Sequence, residues 1–372
     1  MRLTLLHVFP TLAVGGQQTR FATIANALGP EFRHRLISLD GREEAIGLLK
    51  TGVEFLVLRV PPLTHNPLKD LRNNAVVSSR IEADILITYN WGAIDWAILN
   101  RCWFRRPHIH LEDGFGPDEV MRQKRRRVLT RRLFLQRSFV VVPSEKLVQI
   151  AQRAWRLCPR QIRYVPNGID ASRFDHLPRD GQPSFHRYPH ECVIGTFSPL
   201  RREKNLGRLL HAFADICIRT SAVRLVICGD GPERSELLAL ASRLKIVERV
   251  VFTGHINRPE AVLGGFDLFA MSSDTEQMPY AVLEAMAAAL PVVATDVGDI
   301  QKMVATENRQ FIVSRDDLSG LSAALIQLCD SDILRRQVGR ANRLRVEQVF
   351  SIASMTEPFR RVLIEAAQSR KT

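Results

Sequence analysis

The stretch DLFAMSSDTEQMPYAVLEAMAAALPVVATDVGD, residues 267–299, constrains the fold most. Its apolar run at 268–271 reads as a buried strand. A polar turn follows, then an Ala-rich helix predicted from about Pro279 to Leu290, then a second apolar strand at 291–295. Strand, helix and strand in that order close into a βαβ unit with parallel strands, since only a parallel pair needs a helical crossover. Pro279 is expected at the first helical position, where a missing N–H costs nothing.

Two carboxylates flank this helix start, Glu276 in the loop and Glu284 on the second turn. The first-turn N–H groups and the positive dipole end favour a phosphate, and ionised carboxylates accept from sugar hydroxyls. A ligand with a diphosphate between two hydroxyl-bearing groups, such as a nucleotide sugar, matches that combination. An isolated pair of acids would serve as well as solvated charge, so the rest of the chain decides.

Both halves alternate short apolar runs with helical patterns, the first from residue 3 to 142 and the second from residue 193 onward. Such alternation predicts two doubly wound parallel sheets of the Rossmann type, with ligands at the carboxyl ends of the strands. Several polar groups fall at such ends. Gly15 and Gly16 follow the first strand and allow close approach of backbone to ligand. The segment PHIHLEDGFGPDE, 107–119, carries His110, Glu112 and Asp113; His110 alternates with Ile109 and Leu111, so it fits a structural histidine as well as a site residue. In the second half SPLRREKN, 198–205, places Arg201, Arg202 and Lys204 just past a strand, on the rim of the 279–290 helix start, where cations and helix terminus form a diphosphate clamp. Asn167-Gly168 is expected to turn with positive φ. The Pro-rich, aperiodic stretch 175–191 reads as the linker, giving domains 1–182 and 183–353.

The charge is lopsided. Residues 1–180 hold 28 Lys+Arg against 17 Asp+Glu, whereas the remainder holds 24 against 22. A helix predicted at 119–137 carries most of the excess, with Met121, Val128 and Leu135 forming its apolar stripe. At roughly 1 kcal/mol per basic residue near anionic lipid, about five would enrich the protein at a membrane by ~10³ to 10⁴. Aromatics make up 7% of the chain and few interrupt the basic run, which argues against a single-strand nucleic-acid binder. The six cysteines lack Cys-x-x-Cys spacing and point to a reducing compartment without a disulfide framework or zinc site. No window approaches 18 apolar residues, and His7 and Pro10 break the initial apolar run, so it reads as a first strand and the protein as cytoplasmic. The acids at 330 and 332 read as helix capping, and no Gly-x-x-x-x-Gly-Lys loop or Gly-x-Ser-x-Gly elbow occurs.

Taken together, Gly15-Gly16, VPNGID at 165–170, LRREKN at 200–205, VICGDGPERSEL at 226–237, VVFTGH at 250–255 and the segment from Glu276 to Thr295 resemble the retaining glycosyltransferases of the GT-B fold, family 4 group. The resemblance implies two Rossmann-like domains facing across a cleft, the first binding acceptor and the second donor, with a tail, 354–372, returning to the first. It implies that Glu284 takes the ribose hydroxyls and Glu276 those of the transferred sugar. Lys204 with Arg201 or Arg202 neutralises the diphosphate, assisted by backbone N–H groups around Met278, Pro279, Tyr280 and Ala281. Asp113 or His110 faces the donor sugar. Neither metal nor cofactor is needed, and front-side displacement retains the anomeric configuration. The acceptor is a glycan or lipid-linked molecule at the inner membrane face. Two departures stand out: Pro199 occupies the position of an arginine in many relatives, and Asp113-Gly114 that of His-Gly or His-Asp. A nucleotide-sugar epimerase or hydrolase of the same fold, or an inactive sugar-binding relative, are the alternatives.

Overall fold

Apolar, β-branched runs form the strands of two separate parallel sheets in the computed structural model, which describes residues 2–61, 64, 66–119, 122–176, 185–188, 190–256 and 258–369. The chain divides into two units, Met1–Gly168 with Ile352–Thr372, and Ile169–Ser351.

The first unit holds β1 (Thr4–Phe9), β2 (Arg33–Ser38), β3 (Glu54–Val57), β4 (Ile85–Tyr89), β5 (His108–Leu111), β6 (Phe139–Val142) and β7 (Ile162–Tyr164), ordered β3-β2-β1-β4-β5-β6-β7. Every pairing is parallel; Leu5 of β1 lies opposite His34 on one side and Ile85 on the other. β1, β4, β5 and β6 are almost wholly buried, as a sheet covered on both faces requires. Phe359 and Leu363 of the terminal helix Ile352–Gln368 join Leu5, Phe9 and Phe21 in one core cluster, and Arg360 pairs with Glu31, so the tail is part of this unit.

The second unit holds β8 (Cys192–Phe197), β9 (Val223–Cys228), β10 (Val250–Gly254), β11 (Leu268–Met271), β12 (Val292–Thr295) and β13 (Ile312–Val313), ordered β10-β9-β8-β11-β12-β13, again all parallel. Two apolar clusters cover its faces. In both sheets the order reverses beside the first strand, between β1 and β4 and between β8 and β11. At such a switch point adjacent loops diverge and leave a crevice.

Three boundaries and one turn differ from the expectation. The division falls between Gly168 and Ile169 rather than at 182, because Ile169 bridges to Ser351, its N–H bonds to Phe350 O (2.8 Å), and Phe174 is buried in the second unit's core. Part of the presumed linker, 177–184 and 189, lies outside the described residues. The helix after β11 spans Tyr280–Ala287, with Pro279 as its extended N-cap; Ala289 turns the chain with φ 55° before β12. The basic helix is only Arg125–Phe134, since residues 117–119 form a separate 3-10 turn whose Asp118 and Glu119 hold Lys124 and Arg127 instead of capping a longer helix. Val128 and Leu135 face the core as expected, and Met121 lies outside the described residues. Finally, neither Asn167 nor Gly168 has positive φ; the Gly168 N–H is directed at Met355 Sδ (3.2 Å).

Candidate active site

The switch point of the second sheet gathers the acids and cations singled out from the sequence. β8 leads into 198–205 and β11 into 272–279, and the two loops are laced together. The Asp274 N–H donates to Glu203 O (2.8 Å), Ser272 Oγ to Asn205 O (2.9 Å), and Asn205 Nδ2 and Arg208 reach Asp274 at 3.1 and 2.8 Å. Within that lattice Lys204 Nζ meets Glu276 Oε1 at 2.5 Å, with side chains only 21% and 12% exposed. Ser273 Oγ donates to the same oxygen (2.9 Å), and Thr295 Oγ1 fixes the Ser273 carbonyl from β12 (2.6 Å). Charge-assisted bonds of this length hold both groups in one geometry.

Two glycines make the loops possible. Gly298 has φ +62°, and a Cβ there would stand 2.5 Å from the carbonyl oxygens of both Glu276 and Gln277. Gly229, at the end of β9, lets Ser198 O approach to where a Cβ would meet it at 1.9 Å, which seats the 198–205 loop.

Tyr280 and Ala281 open the helix that follows, while Met278 is buried in the core. Glu284 lies one turn on and retains some exposed surface. Burial nevertheless pushes its carboxyl up to about 7; the Arg173 guanidinium draws it down, and Glu260, itself paired with Arg173 at 2.9 Å, raises it further. A carboxyl shifted this way at a sheet's switch point is a candidate functional group. Arg201 and Arg202 are exposed at the edge of the same loop. Arg201 precedes a short 3-10 turn, Arg202–Lys204, and neither arginine side chain makes an ion pair among the described residues.

At the first sheet's switch point, Gly15 is extended (φ −168°) and caps the helix Gly16–Leu28 without a side-chain bond, so what these glycines supply is the absence of a side chain rather than a special conformation. The same rim holds Asp113, which accepts from Arg20 (2.6 Å) and Gln17 (3.2 Å), while its own N–H donates to Asn90 Oδ1 (2.8 Å). Arg20 is 1% exposed and also donates to Val165 O (2.7 Å), tying Asp113 to the VPNGID turn.

His110 differs. It is fully buried within β5, bonded through Nδ1 to Thr88 Oγ1 (2.8 Å), with Nε2 3.5 Å from Glu112. Asp113, with its side chain 16% exposed, is therefore the member of the pair that reaches the rim. Glu112 is buried too and receives Arg131 Nε at 2.8 Å. Arg131 is an inward-facing member of the basic run, enclosed by the rings of Trp91, Phe115 and Trp155 at 5.0–5.6 Å. Arg20 at the first sheet's rim, and Arg173, Ser273, Asp274 and Gly298 at the second's, went unmarked in the sequence, since only folding within each unit brings them there; Gly298 alone carried a signal, as a glycine after a strand.

The description glycosyltransferase family 4 matches residues 14–173, and glycosyl transferases group 1 matches 184–345. The chain is 28% identical over 181 residues to N-acetyl-alpha-D-glucosaminyl L-malate synthase of Bacillus anthracis, covering 49% of this chain and 47% of that protein. It is 29% identical over 213 residues to a GDP-mannose-dependent phosphatidylinositol monomannoside mannosyltransferase of Corynebacterium glutamicum, covering 54% and 55%. The chain thus spans about half the length of the curated relatives it matches. Sucrose-phosphate synthase from Thermosynechococcus elongatus superposes with TM-score 0.83 at 19% identity, covering 98% of this chain and all of that one. Anabaena HepE in complex with UDP and glucose superposes at 0.81 and 20%, with the same coverage. Two parallel-sheet units, these shared folds and the two family matches agree: the chain belongs to the GT-B glycosyltransferases, family 4 across its first unit and group 1 across its second.

Proposed function

We propose that this protein transfers a hexosyl group from a nucleotide sugar to a glycan or lipid-linked acceptor, with retention at the anomeric carbon. The observation that carries the reading is the Lys204–Glu276 pair at the second sheet's switch point, in the loop that feeds the helix whose second turn holds Glu284, a carboxyl with a raised pKa. In this reading Glu284 accepts the ribose hydroxyls as a carboxylate, and Glu276, aligned by Ser273, accepts those of the sugar. Lys204, the exposed Arg201 and Arg202, and the first-turn N–H groups of the Tyr280–Ala287 helix stabilise charge on the departing diphosphate. These cations do the work a metal would otherwise do. Asp113, held by Arg20 on the first unit's rim, orients the acceptor, and a leaving phosphate oxygen takes the acceptor proton.

Support for the donor class comes from HepE, solved with UDP, with UDP and glucose, and with UDP-glucose, and from the mannosyltransferase whose name specifies GDP-mannose. Lipid and polysaccharide acceptors recur among relatives, including alpha-monoglucosyldiacylglycerol synthase of Streptococcus pneumoniae and a lipopolysaccharide core glycosyltransferase of Rhizobium meliloti. No described helix is long and apolar enough to cross a membrane. The outer face of the basic helix pairs exposed Leu129 and Leu133 with exposed Arg125 and Arg126, a pattern suited to lying on an anionic bilayer from the cytoplasmic side.

The test is transfer of labelled sugar from UDP-glucose or GDP-mannose to a membrane extract, with and without EDTA. Transfer that survives EDTA and is lost in Glu276→Ala supports the reading. Donor consumption that proceeds equally without acceptor would assign the site to hydrolysis or epimerisation instead.

A further inference from the structure

A second charged site lies in the first unit, at the amino ends of β5 and β6, opposite to the end that carries Asp113. Here the helix Ile94–Leu99 runs into a widened turn, Asn100–Phe104, and the Arg105 N–H bonds back to Asn100 O (2.7 Å) while Arg105 takes φ +51°. Asn100 clamps the far side of the turn through both atoms of its amide: Oδ1 accepts from the Arg106 N–H (3.0 Å) and Nδ2 donates to Arg106 O (2.8 Å). A turn of this widened kind, held by side-chain bonds, is a common device at functional sites. It brings Arg101, Arg105 and Arg106 together, and Arg137 joins them from beyond the basic helix.

These four arginines line a cavity of about 340 Å³, floored by His108 and Ser138, and among the described residues no aspartate or glutamate lines it. Arg106 is anchored by Ser78 and by the carbonyl of Ile81 (2.7 Å). Arg101, Arg105 and Arg137 have no carboxylate partner among the described residues, and the Arg101 Nε is buried without a hydrogen-bond acceptor. Arg127, Arg131, Arg208, Arg224 and Arg343 are paired with acids, whereas no carboxylate among the described residues answers Arg101, Arg105 or Arg137 at this cavity. The floor adds no charge: burial, and to a lesser degree His110, hold His108 at about 3, and its ring is bonded to Ser138 Oγ (2.7 Å) and Thr88 Oγ1 (2.8 Å). Like charges converging on one cavity repel, and a buried donor without an acceptor forfeits the hydrogen bond it would make in water. An anion with several acceptor oxygens removes both penalties.

We propose that this cavity binds a phosphate monoester or diphosphate group, separate from the nucleotide-sugar site. Guanidinium forks match phosphoryl oxygens two at a time, and several of them favour a dianion over a carboxylate. The volume leaves room for a substituent beyond the phosphate. That substituent is either a small soluble one or the glycerol of a phosphatidate headgroup; Trp103, 63% exposed on the same turn, stands where it would meet the membrane in the second case. The proposal does not depend on the glycosyl-transfer reading.

The experiment titrates the full chain with inorganic phosphate and inorganic diphosphate by calorimetry at fixed ionic strength. In parallel it floats the chain on phosphatidylcholine vesicles containing phosphatidate or, at equal charge, phosphatidylglycerol. Wild type is compared with Arg101→Gln/Arg137→Gln and with Arg125→Gln/Arg126→Gln, which removes the same charge from the exposed helix face. Saturable binding of the free anions, weakened at least ~tenfold only in the first variant, supports the site with a soluble ligand. Flotation that prefers phosphatidate and falls only in that variant, without free-anion binding, supports it with a headgroup. Equal losses in the two variants, or no phosphoryl preference in either arm, overturn it. Unchanged circular dichroism and melting temperature exclude misfolding of the variants.

Discussion

Nucleotide-sugar affinity should fall as pH drops from about 8 to 6, and Glu284 sets the size of the change. Its carboxyl titrates near 7 because burial and Glu260 outweigh the pull of Arg173. If only the carboxylate accepts the ribose hydroxyls, the competent fraction is about 0.9 at one unit above that value and about 0.1 at one unit below. Apparent affinity scales with the competent fraction, so Kd should rise about tenfold over the interval, worth about 1.4 kcal/mol. A nucleotide sugar is the right probe, since its diphosphate is esterified at both ends and does not itself titrate there. Calorimetry across the range would show a single inflection near 7 in wild type. Glu284→Gln should bind more weakly and show a flat profile. Affinity that is flat in wild type, or that rises toward low pH, refutes the carboxylate role.

Other outcomes follow from the same contacts. Arg131→Met should destabilise the first unit by about 3–5 kcal/mol by leaving buried Glu112 without its guanidinium partner, lowering its melting temperature by roughly 6–20 °C, and adding Glu112→Gln should recover most of the loss; a single variant within about 1 kcal/mol of wild type would contradict the pairing. Burial alone would raise the Glu112 pKa, but Arg131 and His110 overcome it and hold it below the usual carboxylate range. The stability it contributes is therefore present above the ordinary carboxylate pKa and is lost as pH falls through the depressed one, which acid titration of wild type against the double variant should reveal. Gly298→Ala should cost about 1–3 kcal/mol of strain and reduce turnover more than donor affinity, because its Cβ displaces the Glu276 carbonyl; steady-state kinetics showing only a KM change would oppose this. Arg125→Glu/Arg126→Glu should reduce flotation on anionic vesicles by about 30-fold or more, at ~1 kcal/mol per basic residue removed, and equal recovery on neutral vesicles would sink the docking idea.

Much of this architecture was legible because it rests on local patterns. Residues 268–295 declared strand, helix and strand through apolar runs and an Ala-rich segment, and the parallel topology followed from alternation. Lys204 and Glu276 were legible as residues just past strand ends, though 72 positions apart in sequence. The misses share one cause, which is that periodicity reports faces rather than partners. The basic run read as an outward surface for an anionic membrane, yet Arg131 turns inward because Glu112 and three aromatic rings neutralise and enclose it. His110 could not be resolved from the sequence because a strand alternates faces without saying which one a second layer covers. The domain boundary followed Pro and polar content, whereas a single bridge, Ile169 to Ser351, moved it upstream.

The most direct test of the account is calorimetric titration of wild type and Lys204→Met with a panel of uridine- and guanosine-diphosphate sugars. One nucleotide family should bind wild type saturably, and the variant, deprived of the cation facing the diphosphate and Glu276, should bind at least ~tenfold more weakly. Equal binding by the two proteins, or no binding of any nucleotide sugar to wild type, would contradict it.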